Sequence, residues 1–474
     1  MDSKKQIQPP VLDKVKKSIQ KSREKVDTDS YTISIVTPMF GGGIQPGVVN
    51  KKNPIRSSSI RGHLRFWWRA TRGAACQNVR ELRKREVEIF GDAHTPSRVK
   101  IWVETTGKPE LEKVRELNKN NNKHRLVKKL PSYAVFPFNN NDCNNLEMLE
   151  AYTFQLHVGY NQYFPKQKGV IKGESPLTVK DLKEEIKPAL WAWINFGGLG
   201  SRTRRGCGSL YCEDFLPERT SSHPKYEDWY QKKIGDYELN LDIHLENKEW
   251  PTLSKSVIIQ EHERDSLQAW KDVIKLYHNF RSLPNNTYVY SKTPDYKRSL
   301  WPEADSLRRI SGMAELVHKP PKPLEKKEIV AFPRAQLGLP IIFEFKQDKY
   351  LKERYNSQRE PYKMQLAPKD KSRLASPLIT KVLALDEKRG VGMIVKLNQP
   401  RLTDLELKVM EDRGIARYKL ADIEKVERLI AKQPIREDAI YKELRYAGSP
   451  MKQGQQSAVQ AFLDSEEVQS WKKR

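Results

Sequence analysis

Apolar and polar positions alternate in three stretches of the first half of the chain. Tyr31, Ile33 and Ile35 alternate with Thr32 and Ser34; Val99, Ile101 and Val103 form a second alternating run; Tyr152, Phe154, Leu156 and Val158 alternate with Thr153, Gln155 and His157. A period of two puts one face of an extended chain against a core, so three strands are predicted. Pro38 and the glycines Gly41 to Gly43 end the first. Between the strands the period lengthens. Ser57, Ser58 and Ser59 offer N-caps for a helix beginning at Ile60, and at helical spacing Ile60, Leu64, Trp67 and Thr71 share an arc of about 60°. Arg61, Arg65, Arg69 and Arg72 share an arc of about 80° on an adjacent face, so one helix carries an apolar stripe and an arginine stripe. The segment ELRKREVEIF continues helically. A further helix, from about Thr178 to Asn195, runs directly into GGLGSRTRRGCGSLYC, where a fourth strand is expected.

The predicted order, strand–helix–strand–strand–helix–strand, is that of a split βαβ or ferredoxin-like unit, the topology of RNA-recognition modules. Residues 107–147, rich in Lys and Asn with runs at Asn120 to Asn122 and Asn139 to Asn141, interrupt it as an insertion. The second half opens with a helix at about Asp265 to Ser282. It continues with the apolar strand LPIIFEFK, strands around Leu378 to Leu385 and Val391 to Leu397, and a helix near Asp422 to Lys432. The expected organisation is a basic N-terminal arm (1–28), an α+β unit (29–215) holding the insertion, a polar joining region (216–255) with Pro217, Pro224 and Pro251, and a second α+β unit (256–474) of undetermined strand order. At 474 residues two domains are the natural division.

Charge narrows the function. Lys and Arg number 86 against 60 Asp and Glu, a net +26, and such a surplus on a folded protein is the electrostatic footprint of a polyanion ligand. No apolar run approaches a membrane span and the charged start MDSKKQIQPP lacks the apolar core of a secretory leader, so a cytoplasmic protein without membrane contact is expected. Cys76, Cys143, Cys207 and Cys212 form no C-x-x-C pair, which argues against a disulfide framework or a structural zinc. The nine histidines include no metal-binding spacing. No cofactor or metal is expected.

The strongest local motif runs from Gly197 to Gly208: Gly197, Gly198, Gly200, Gly206 and Gly208 permit tight turns and close approach of backbone N–H groups to an anion, and Arg202, Arg204 and Arg205 supply charge and planar stacking surfaces. It leaves a helix instead of opening one and contains no G-K-[ST], which excludes dinucleotide and P-loop readings. By composition alone it reads equally well as a glycine-rich turn with solvated arginines. The arginine stripe of the first helix tips the balance towards a basic surface that a phosphate chain would follow. Trp67 lies on the apolar arc and reads as core, Trp68 at its border as core or a base-stacking ring. Cys207 sits among arginines that would lower its thiol pKa, with no base to make it a nucleophile.

TPMFGGG (Thr37 to Gly43), the helix motif from Arg56 to Arg69 and the glycine-rich motif resemble the RAMP superfamily of CRISPR-associated proteins, and within it the first subunits of the Cmr (type III-B) effector complex. SLWPEADSLRR (Ser299 to Arg309), FPRAQLGLPIIFEF (Phe332 to Phe345) and SRLASPLI (Ser372 to Ile379) resemble that family's C-terminal segments. The resemblance implies two ferredoxin-like units and a non-catalytic, RNA-binding role: contact with the 3′ region of a guide RNA, help in capturing target RNA, and assembly with other Cmr subunits for antiviral defence. The residues expected to bind RNA are Arg56, Arg61, Arg65 and Arg69 of the helix, Gly198, Gly200, Ser201, Arg202, Arg204, Arg205 and Gly206 of the loop, and, carried over from the C-terminal motifs, Arg308, Arg309, Arg334 and Arg373. The rival readings are a repeat-processing endoribonuclease with His63 or His94 as general base, and a basic scaffold that binds partner proteins.

Overall fold

A computed structural model describes residues 26–43, 47–105, 107–118, 123–138, 143–161, 177–217, 226–242, 249–282, 299–314, 330–345, 360–410, 420–444, 449–451 and 453–474. The expected N-terminal arm and both asparagine runs fall almost wholly outside these residues.

The architecture is α+β. Strand β1 (Asp27–Ile35) is followed by helices α1 (Ser57–Ala70) and α2 (Val79–Phe90), β2 (Val99–Thr105), the four short strands of the insertion, β3 (Leu111–Lys113), β4 (Arg115–Asn118), β5 (Lys123–Leu126) and β6 (Glu147–Leu149), then β7 (Tyr152–Tyr160), α3 (Val179–Phe196) and β8 (Leu210–Tyr211). The main sheet has the antiparallel order β2-β7-β1-β8. Its register pairs Ile33 with Phe154 and Val103 with Leu156, so the apolar positions of neighbouring strands line one face. Ile33, Phe154, Leu156 and Val158 are buried on that face in one core with Ile60, Leu64, Trp67 and Trp68 of α1 and Leu182, Ile186 and Leu190 of α3.

Helix α3 begins as its sequence dictates: Thr178 Oγ1 accepts from the Asp181 amide at 3.2 Å and the Asp181 carboxylate accepts from the Thr178 amide at 2.6 Å, a reciprocal cap. Helix α1 does not. It starts three residues before the expected Ile60, with Arg56 in the extended N-cap position and the three serines inside the first turn. The cause is in the backbone, since the Ser59 and Ile60 amides bond to the Arg56 carbonyl at 3.0 and 3.2 Å. The outcome is a helix N-terminus with no side-chain cap and no acidic residue in its first turn.

The second half repeats the first in outline. Strand β9 (Thr252–Ile259), the short β10 (Arg264–Asp265), α5 (Ser266–Ser282), β13 (Leu378–Ala384) and β14 (Arg389–Asn398) give a sheet in which β14 lies between β13 and β9, all antiparallel. This second-third-first order is that of β2, β7 and β1. A separate sheet, β11 (Ile341–Phe343), β12 (Met364–Pro368), β15 (Asp404–Val409) and β16 (Ile435–Arg436), packs with α6 (Glu303–Ser311) and α7 (Leu420–Ala431) around its own core. Thus the second half holds two sheets where one α+β unit was expected.

Two further segments differ from the sequence reading. The expected joining region contains α4 (Tyr226–Asp236), whose Trp229 and Tyr230 pack edge-on and tilted against Trp191 of α3 at ring-centroid distances of 6.0 and 5.9 Å. A short aromatic helix with weak periodicity gives little signal until its docking surface exists. The insertion is also built into the fold: Val114, Val127, Ala134 and Val135 are buried with Phe40, Cys207, Trp270 and Tyr277 in a second core. No helix among the described residues is long and apolar enough to cross a membrane.

Candidate nucleic-acid interface

Three backbone elements meet above the N-terminal end of α1. The turn after β1 closes with bonds from the Gly41 amide to the Gly47 carbonyl (3.0 Å) and from the Gly43 amide to the Val48 carbonyl (2.8 Å). The glycine-rich loop crosses it, with the Ser201 amide bonding to the Phe40 carbonyl at 2.7 Å and the Gly208 amide to the Pro38 carbonyl at 3.0 Å. Two glycines make this crossing obligatory. Gly200 has φ +79° and an added Cβ would lie 2.4 Å from the Phe40 carbonyl oxygen; Gly208 has φ +62° and its Cβ would lie 2.1 Å from the Leu199 carbonyl oxygen. Between these turns and α1 lies a cup of about 260 Å³, lined by Gly41 to Gly43, Gly200 and Ser201 on one side and by Arg56, Ser59 and His63 on the other.

The backbone amides of Gly41, Gly43, Ser59 and Ser201 are spent within the fold, but several polar side chains of the cup are not. Among the described residues the side chains of Ser59, His63 and Ser201 have no hydrogen-bond partner, and Arg56 Nε is buried without one. The His63 ring stacks on Trp193 at 6.3 Å and 13°, and burial pushes its pKa down to about 4, so it is neutral at pH 7. The cup therefore combines an uncapped helix N-terminus, glycine backbone, a guanidinium and neutral donors and acceptors. That set suits an anion joined to a hydroxylated group.

The arginines that the sequence nominated are elsewhere. At 100° per residue the arginine stripe of α1 is centred about 140° around the helix from Ser59 and His63. There Arg65 Nε and Arg69 Nη1 bond to the buried Glu86 carboxylate of α2 at 2.8 and 3.1 Å, and Arg61 donates to the Phe90 carbonyl. The expected single basic surface joining stripe and loop does not form, because α2 supplies the stripe with its own acceptors. Trp68 is likewise core, fully buried and bonded through Nε1 to Glu185 at 2.7 Å, which removes it as a stacking ring.

The loop arginines point into the protein. Arg202, in the left-handed region at φ 63°, donates to the Ala134 and Tyr133 carbonyls of the insertion at 2.7 and 3.2 Å. Arg204 donates to the Ser376 carbonyl, and Arg205 to the Leu378 carbonyl at 2.8 Å and to Tyr277 Oη at 3.1 Å, its guanidinium 4.3 Å from that ring's centroid. Trp270 Nε1 donates to the Arg205 carbonyl at 2.6 Å, and Gly206 packs against the same ring, where its own Cβ would clash. Gly198 lies behind the cup, over the Gly208 carbonyl. From the other side Lys381 of β13, fully buried, donates to the Gly197 carbonyl at 2.8 Å. Burial holds the Lys381 pKa down to about 7 and that of Arg204 down to about 10, the latter with help from Arg205. Burial also pushes the Cys207 thiol up to about 12, the reverse of the sequence expectation, because desolvation outweighs Arg202.

In the C-terminal motifs, Arg308 is buried between Asp305 and Glu360, each at 2.8 Å, and Arg334 pairs with the fully buried Glu303 at 3.0 Å. Arg309 is half-buried on the same helix as Arg308, and Arg373 is exposed. His94 sits in the turn after α2, its amide bonded to Asp92 at 2.9 Å, apart from the cup. Ser59 and the β1 turn glycines are cup residues that charge-led reading did not place at a binding site, and His63, named there only as a candidate general base, joins them; the i, i+4 spacing of Ser59 and His63 was the available signal.

Residues 32–211 match the RAMP superfamily model. This segment is similar to the RAMP superfamily. The β1 turn, α1 and the glycine-rich loop, and so the whole cup, lie inside the RAMP segment. Two relatives are similar in sequence to part of this chain: CRISPR system Cmr subunit Cmr1-1 of Pyrococcus furiosus, 29% identical over 168 residues (34% of this chain, 42% of that protein), and Cmr1-2 of the same organism, 26% identical over 183 residues (38% and 92%). The match thus spans less than half the length of Cmr1-1. Among solved structures, apo Cmr1 from Pyrococcus furiosus aligns with TM-score 0.42 and 17% identity (86% of this chain, 96% of that one). A type III-B Cmr-beta complex bound to cognate target RNA contains a chain aligned with TM-score 0.41 and 14% identity (85% and 99%).

Proposed function

We propose that this chain is a non-catalytic RNA-binding subunit of a type III-B (Cmr) CRISPR ribonucleoprotein. In this reading it is built on two ferredoxin-like units, and it contacts the 3′ region of a guide RNA and helps capture target RNA beside other Cmr subunits. The observation that carries the reading is the cup of the RAMP segment: an uncapped helix N-terminus, two glycine turns, and Arg56 Nε with the side chains of Ser59, His63 and Ser201, which have no internal partner among the described residues. Backbone amides and one guanidinium grip a phosphate without reading sequence, which is what a protein needs when base pairing of a guide makes the choice.

The buried cations of the adjoining seam support the same reading. Arg202, Arg204, Arg205 and Lys381 bond to carbonyls or a phenol, and none has a carboxylate within ion-pair distance among the described residues. Partial charges on carbonyls do not cancel full ones, so a positive field extends from the seam into the cup. An RNA cleavage role fits less well. His63, neutral and with a depressed pKa, is a weak proton acceptor at pH 7, and no second acid or base lines the cup.

The test is binding of labelled single-stranded RNA to the full chain across a salt series. Arg56→Ala should weaken binding irrespective of sequence and lower the slope of log affinity against log salt by about one. Site-specific cuts lost in His63→Ala would replace this proposal with the endoribonuclease. An unchanged affinity and slope in Arg56→Ala would leave the scaffold reading.

A further inference from the structure

We propose that His63 is the residue by which the cup distinguishes ribose from deoxyribose, its imidazole hydrogen-bonding the 2′-hydroxyl of the nucleotide whose phosphate lies at the N-terminal end of α1. This rests on the RNA-binding reading above and adds to it the sugar specificity of the same site.

Position comes first. Ser59 and His63 occupy the same face of α1, one helical turn or about 5 Å apart, and both line the cup. In this reading the phosphate lies at the outer end, beside Arg56 and the uncapped N-terminus of α1. The next group along a nucleotide chain is the sugar, and the next side chain along the helix face is His63. Its orientation is fixed on the far side by the stack on Trp193, so the imidazole is presented in one plane instead of sweeping the cavity.

Chemistry selects the partner. A 2′-hydroxyl is both donor and acceptor, and a neutral imidazole carries one of each. An imidazolium would have two donors and no acceptor, and would be a phosphate ligand instead. The depressed pKa of His63 keeps the neutral form at physiological pH. The ring has no hydrogen-bond partner among the described residues, so a 2′-hydroxyl would satisfy a half-buried group that the fold leaves open, while deoxyribose would strand it. Met39, Ile55, Pro54 and Leu199 complete the wall and offer no hydrogen bonds from their side chains to a base edge.

The experiment compares RNA and DNA of one sequence, and RNA carrying single 2′-deoxy positions, against the full-length chain and its His63→Ala and His63→Gln variants. Wild type should favour RNA, with one 2′-deoxy position accounting for roughly a three- to tenfold loss. His63→Ala should remove that loss, bringing RNA to the level of the singly deoxy strand and leaving DNA affinity and the salt slope unchanged; His63→Gln, which keeps a donor and an acceptor, should restore part of the preference. Equal losses on RNA and DNA in His63→Ala, or a preference that follows base identity in place of the sugar, would overturn the proposal. The single-deoxy series on wild type is independent of variant folding, and a flat series would overturn it too. Failure of wild type to bind either nucleic acid would instead sink the underlying RNA-binding reading.

Discussion

Replacing Lys381 with Met tests the seam beneath the cup through its pH dependence. Lys381 is fully buried on β13 with the Gly197 carbonyl as its hydrogen-bond acceptor, and its pKa falls from the usual 10.5 to about 7. In the unfolded chain the lysine keeps its proton up to about pH 10, so between pH 7 and 10.5 the unfolded state binds more protons than the folded one, and stability rises with pH. Below pH 7 both states are protonated and the cost of burying the charge is constant and greatest. At 1.36 kcal/mol per pKa unit that cost is about 5 kcal/mol, and about 2 kcal/mol of it is relieved between pH 7 and 9. Met fills similar space without charge but leaves the Gly197 carbonyl unpaired, a loss of about 1–3 kcal/mol. Lys381→Met should therefore be more stable than wild type by a few kcal/mol at pH 6, with the gap closing by about 3 kcal/mol by pH 9. Urea unfolding followed by tryptophan fluorescence at pH 6, 7, 8 and 9 measures both proteins, and every other titrating group cancels in the difference. Parallel stability curves, or a variant weaker at pH 6, would refute the argument that the buried amine carries an uncompensated charge.

Glu86→Gln removes the carboxylate shared by Arg65 and Arg69; because those arginines are about one-third exposed, a destabilisation of about 2 kcal/mol is expected in urea unfolding, below the 3–5 of a fully buried pair. RNA affinity by filter binding should stay within about twofold of wild type, and a large loss there would return the arginine stripe to the binding surface. Gly200→Ala forces a Cβ into the Phe40 carbonyl at positive φ and should cost at least about 1–2 kcal/mol and abolish the RNA binding proposed for the cup. Gly62→Ala, on the same RAMP segment but with open space around it, should instead stabilise α1 by about 0.5–1 kcal/mol without affecting binding, as thermal melts and the same binding assay would show.

The sheet of the RAMP segment was legible because alternation and register are the same fact: the positions that repeat every second residue in β1 and β7 are those that face each other at Ile33 and Phe154. The helices were legible for the same reason at their own period. What escaped was every choice of partner. The stripe of Arg61, Arg65 and Arg69 is plain in the sequence, but its acceptors lie on α2, and nothing local separates a side chain awaiting RNA from one already bonded to Glu86. Cys207 shows the same limit: nearby arginines in sequence imply a lowered thiol pKa, while desolvation, which only packing decides, carries it the other way.

Why then do arginines dominate motifs whose proposed ligand contacts fall to Arg56, serines and glycines? The glycine-rich loop has two residues beyond the steric reach of any side chain, and its amides must be held against the β1 turn with little apolar surface of their own. Long planar side chains solve this: Arg202, Arg204 and Arg205 each reach a carbonyl of a different segment, the insertion, the Ser376 turn and β13, and so fix the loop to three walls at once. Arg205 and Arg281 meet at Tyr277, and Arg281 in turn lies against Arg334 of the FPRAQL motif, so motifs more than a hundred residues apart form one continuous scaffold. A hydrophobic scaffold would hold the loop equally well and leave the cup neutral. A cationic one fixes the geometry and would also supply the field for the anionic strand proposed above, so the same arginines that read as ligands in the sequence serve as supports in the fold.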